Sequence, residues 1–105
     1  MPSFAPRNEP RKKKEELDLK KQVLENAVLN SLSMEILTKK AENYKAARIS
    51  YNKAILHVAK DMEWKNREHS FDKDKATREI EIWEKKSVET VIDEVKMQLK
   101  PKETS

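Results

Sequence analysis

Residues 34–62 read MEILTKKAENYKAARISYNKAILHVAKDM, and their spacing decides the class of fold. Met34, Leu37, Ala41, Tyr44, Arg48, Tyr51, Ile55, Val58 and Met62 recur at alternating intervals of three and four, and all but Arg48 are apolar. A helix turns once in ~3.6 residues, so these positions form one narrow stripe, the two-position heptad seam of a coiled coil. Ala46, Ala47, Ala54 and Ala59 flank the stripe and let another helix approach closely. Glu35–Lys39, Asp61–Lys65 and Glu63–Arg67, with Glu16–Lys20, Asp74–Arg78 and Glu81–Lys85 elsewhere, place an acid four residues before a base, which supports an exposed helix.

Downstream the seam fails. Its count lands on Lys65, His69, Asp72, Ala76, Glu79 and Trp83, which are mostly polar. Apolar residues resume in another phase, at Ile80, Trp83, Val88, Val91, Val95 and Leu99, with Ile92 alongside. Between the phases, residues 66–74 hold Phe71 as their one apolar side chain, and Ser70, Asp72 and Asp74 are candidate N-caps. A break there, which folds residues 73–100 back as a second helix, is the preferred reading; one continuous helix with a phase slip is the alternative. Upstream, Leu17, Leu24 and Val28 form a stripe with Val23 and Ala27 beside it. The polar run Asn30-Ser31-Leu32-Ser33 competes with helical hydrogen bonds and predicts a kink or loose turn at 30–33.

The ends differ from the body. The four prolines stand at 2, 6, 10 and 101, and glycine is absent, so residues 11–100 contain neither helix breaker. The expected organisation is an extended, proline-containing basic arm over 1–11, a long helix over 12–69, a second helix over 73–100 and a polar tail at 101–105. The fold class is therefore all-α, a coiled-coil-like helical hairpin with an N-terminal arm. Charged residues make up 40% of the chain and apolar ones 36%, against the ~25% and ~45–50% of ordinary globular proteins. Such a hairpin buries little apolar surface against the entropy of ordering it, which implies a partner surface.

The net charge of +4 is concentrated. Arg7, Arg11, Lys12, Lys13 and Lys14 face Glu9 alone in residues 1–14, while the other 91 residues carry 18 charges of each sign. A neutral body is poor material for tracking a phosphate backbone. The basic arm could dock on an acidic protein surface, contact nucleic acid non-specifically or act as a nuclear-localisation run. No apolar run approaches the ~18 residues of a membrane span, and no signal-peptide core opens the chain, so a cytoplasmic or nuclear location is expected.

Catalysis finds no support. Cysteine is absent, and with it any thiol nucleophile, disulfide or Cys-based zinc site. Without glycine, phosphate-cradling loops and turns of positive φ are also not expected. His57 with Asp61, one turn apart, makes two ligands without a third, so no metal or cofactor is predicted. The expected role is a non-enzymatic helical scaffold subunit in a larger, cytoskeletal or filament-like assembly. Leu37, Tyr44, Tyr51, Ile55, Val58, Met62, Trp64 and Trp83 are its candidate interface residues. Trp83 is expected to pack on the long helix, whereas Trp64 lies off the seam in a polar stretch and is either an interface anchor or a contact within the hairpin. The partner would be another helical protein or a second copy of this chain. The alternative is a nuclear nucleic-acid- or chromatin-associated factor that dimerises through the coil.

Overall fold

The computed structural model describes residues 8–99 and is all-α, with four helices and no strand among them. They are α1 (Asn8–Leu29), α2 (Met34–Trp64), α3 (Lys73–Lys85) and α4 (Val88–Leu99). Helix α2 contacts the other three, and α4 also contacts α1. At ~1.5 Å per residue the 31 residues of α2 span about 46 Å, which accounts for most of the molecule's 52 Å length. None of these helices is long and apolar enough to cross a membrane.

The expected helix over 12–69 is instead two helices. Helix α1 ends in a reversal in which Ser31 takes φ 52°, the Leu32 N–H donates to the Ala27 carbonyl at 3.1 Å, and the Ser31 N–H donates to that of Val28 at 3.1 Å. This is the Schellman closure, whose left-handed residue is usually glycine. Ser33 then caps α2, its hydroxyl accepting from the Ile36 N–H. The end of α2 repeats the device, with Asn66 at φ 55° and the Arg67 N–H donating to the Met62 carbonyl at 2.8 Å. Turns of positive φ are thus made without glycine, contrary to expectation. Two short polar side chains occupy the left-handed region instead.

Two further boundaries differ. Residues 8–11 belong to α1 rather than to an extended arm, because Pro10 sits in the first turn, where its missing N–H costs no helical bond. Residues 1–7, Arg7 among them, lie outside the described structure, as do residue 100 and the tail at 101–105. The second helix is interrupted at Lys86, whose ψ of 128° is extended. Ser87 restarts it, its hydroxyl accepting from the Thr90 N–H at 3.1 Å. Asp72 is the cap of α3, accepting from the Lys75 N–H at 2.9 Å.

Leu37, Ala41, Tyr44 and Val58 of the α2 seam are covered from within the chain, whereas Met34 at its start is exposed. Leu17, Leu24 and Ala27 of α1, Leu37, Ala41 and Tyr44 of α2, Trp83 of α3, and Val91, Ile92 and Val95 of α4 form one buried cluster. The buried face of α2 is wider than a two-position seam, since Asn52, Ala54 and Ala59 are buried beside it.

Candidate functional site

Helix α3 runs antiparallel to α2, held by three cross-helix contacts in register. Arg48 Nη2 donates to Glu79 Oε1 at 3.1 Å, Lys45 Nζ to the Glu84 carbonyl at 3.4 Å, and the Tyr44 and Trp83 rings meet edge to face at 5.5 Å. Arg48 also donates to the Tyr44 hydroxyl at 3.2 Å and lies over the Trp83 ring, 4.9 Å from its centroid. The Lys86 ammonium lies over the same ring at 4.1 Å and donates to Glu94. Burial alone would lower the pKa of Arg48, but the hydrogen bonds to Glu79 and Tyr44 outweigh it and the net shift is upward.

Where α1 and α3 flank α2 beyond this contact, they leave a groove of about 370 Å³. Its floor is Arg48, Tyr51, Asn52 and Ile55, spaced i, i+3, i+4 and i+7 on one face of α2. Lys14 and Leu17 of α1 form one wall. Asp72, Lys75, Ala76 and Glu79 of α3 form the other at the same helical spacing, with Ser70 and Phe71 at the open end. Asn52 is 6% exposed, and its amide donates to the Arg48 carbonyl at 3.0 Å. Most charges here are already engaged, Lys14 with Asp18 at 2.9 Å, Arg48 with Glu79, and Asp72 with its helix, while Lys75 stands exposed on the α3 wall. The Tyr51 and Ile55 side chains, beside the Asn52 amide and within a rim of mostly paired charges, accommodate an apolar or aromatic side chain with one polar atom better than a charged small molecule.

The open end is shaped by the α2–α3 turn. His69 Nδ1 accepts from the Phe71 N–H at 3.1 Å, so the proton sits on Nε2, which donates to Glu63 at 2.8 Å. Lys73 donates to the same carboxylate at 2.7 Å. These hydrogen bonds, from Lys73 first and His69 second, hold the Glu63 pKa below the ordinary glutamate value.

The candidate interface residues divide by exposure. Leu37, Tyr44, Val58 and Trp83 are buried against this chain's own helices, Tyr51, Ile55 and Met62 are half-buried, and Trp64, the last residue of α2, is 85% exposed. Of the basic residues, Arg11 pairs with Glu15, Lys13 with Glu16 and Lys14 with Asp18. They form part of a helix lined with acids rather than a free basic arm. Among the described residues no group of three or more His, Cys, Asp or Glu side chains is placed to hold a metal ion. Asn52, Phe71, Lys75 and Glu79 are the groove residues that sequence reasoning missed. For Glu79 the signal was the seam count itself, on which it falls with Ala76, whereas Asn52, Phe71 and Lys75 lie off that count and carried no such signal.

A second surface lies at the α1–α2 turn. Leu29, Leu32, Met34 and Ile36 are all exposed within eight residues, Leu29 at 64% and Met34 at 53%. Comparison of this chain with protein families, curated proteins and solved structures finds no match.

Proposed function

We propose that this protein is a non-enzymatic helical subunit that binds other proteins in a larger assembly. The observation that carries the reading is the α1–α2 turn, where four large apolar side chains stand in solvent within eight residues of a chain that is only 36% apolar. Four exposed apolar side chains at one turn of an elongated molecule suit a docking tip. The binding energy belongs there and at Trp64, because most of the heptad seam is occupied internally. The nucleic-acid alternative draws no comparable support, since three of the four bases at 11–14 sit in ion pairs with neighbouring acids.

A photo-crosslinking residue in place of Met34 tests the reading in native extract. A defined covalent adduct with one protein is expected, and it disappears when Leu32→Glu and Ile36→Glu are combined. Labelling no stronger than from the same probe at exposed Asp93 would refute it.

A further inference from the structure

We infer that the groove between α1 and α3 is a socket for Trp64 of a second copy of this chain, and that the contact joins copies head to tail. The inference gives the protein-binding reading one specific partner, at a surface separate from the α1–α2 turn.

Trp83 demonstrates how this molecule holds an indole: a tyrosine edge, Tyr44, with Arg48 and Lys86 over the ring. The groove assembles the same kinds of group one heptad along α2. Tyr51 stands where Tyr44 does, Phe71 adds a second ring, and Lys14, Arg48 and Lys75 supply cations. A buried indole N–H also needs an acceptor. The Asn52 amide nitrogen is committed to the Arg48 carbonyl, so its oxygen is the group that can serve. At about 370 Å³ the groove lies near the small end of the ~300–1,000 Å³ range of ligand pockets, a size for one large side chain.

Trp64 supplies the matching anchor, the most exposed large apolar side chain among the described residues. The exposed Glu68, four residues beyond it, brings a carboxylate to the exposed Lys75 on the α3 wall of the socket. The body's balanced charge sets up no repulsion between copies. Orientation determines the kind of assembly. Trp64 lies nine residues beyond Ile55, about two and a half helical turns, so anchor and socket point to opposite sides of α2. A contact of that kind is heterologous and does not close into a two-fold dimer; it continues from copy to copy, as a ring or an open chain. One indole buries ~150–250 Å², and with the walls it meets the contact stays well below the ~1,200 Å² of a stable interface. Each link is therefore weak, and association shows only at high concentration.

Sedimentation equilibrium on the full chain, over a hundredfold range of concentration, tests this. The average mass is expected to rise past that of a dimer. Trp64→Ala should weaken association by about thirtyfold, the effect of losing one hot-spot side chain. Ile55→Glu blocks the socket, and Lys75→Glu does so from an exposed position that leaves the fold intact. Mixed in equal amounts, the Trp64→Ala and Lys75→Glu chains should stop at dimers, because one retains only the socket and the other only the anchor. Isotope-filtered NMR should connect the Trp64 indole to the Ile55 methyls of another copy. A wild-type chain that stays monomeric, a Trp64→Ala chain that associates normally, or a socket occupied by residues 1–7 of its own chain would each overturn the inference. None of these results would alter the crosslink from the α1–α2 turn, so the two readings fail separately.

Discussion

Ser31 and Asn66 hold a backbone conformation that other chains assign to glycine. Each occupies the left-handed region at the close of a helix, with φ 52° and 55°. For an L-residue this region costs ~1–2 kcal/mol, less for Asn, whose side chain tolerates it. Ser31→Gly is therefore expected to stabilise the protein by about 0.5–1 kcal/mol, and Asn66→Gly by less. Denaturant midpoints at unchanged slope measure both, and a Ser31→Gly variant that is no more stable would contradict the strain. Glu63 behaves differently. Its lowered pKa means that the carboxylate form is favoured by folding through Lys73 and His69. That contribution is fully present above the ordinary glutamate range and is lost as pH falls through the depressed value. A side-chain carboxyl titration by NMR should place the midpoint of Glu63 below the ordinary glutamate value. An ordinary midpoint would mean that the hydrogen bonds at the α2–α3 turn do not persist in solution.

Among the elements, α3 and α4 show how one residue divides what reads as one helix. The interval of five between Trp83 and Val88 breaks the alternation of threes and fours, and Ser87 stands inside it as a cap. Ser87→Ala should cost about 1 kcal/mol, with the loss of amide protection concentrated in the first turn of α4. Equal loss along all four helices would show that the cap is not a local feature. The partner of α2 was legible in a similar way. Arg48 is the polar exception on the seam of α2, and Glu79 falls on the same count in α3. The two exceptions bond to each other at 3.1 Å, so a stripe that looked interrupted is a matched pair of helix faces.

For the whole molecule, the decisive feature is that α1 reverses onto α2 rather than extending it. A continuous helix over 12–69 would be about 87 Å long and would have a radius of gyration near 25 Å as a rod. The folded arrangement has 16.5 Å over the described residues, and small-angle scattering at low concentration should give a value much nearer to it. Leu24 is fully buried where α1 meets the shared core. Leu24→Ala is expected to cost about 2–4 kcal/mol and to lower the unfolding midpoint of the whole chain in one transition. A cost below about 1 kcal/mol would mean that α1 does not contribute to that core.

The sequence by itself determined the all-α class and the apolar stripes of α1 and α4, and it favoured a break near residue 70 and the packing of Trp83, while leaving Trp64 open between an exposed anchor and an internal contact. Each is a local property, set by helical periodicity, helix propensity and the placement of caps. Tertiary structure decided what covers the α2 seam, and so which side chains remain available to a partner. Asn30-Ser31-Leu32-Ser33 permits a kink or a full reversal with nearly the same local chemistry. Burial of Leu17, Leu24 and Ala27 against α2 and α4 selects the reversal, because only then do those side chains leave water. The groove exists for the same reason. It is the space left where two helices, well separated in the chain, pack against one face of a third.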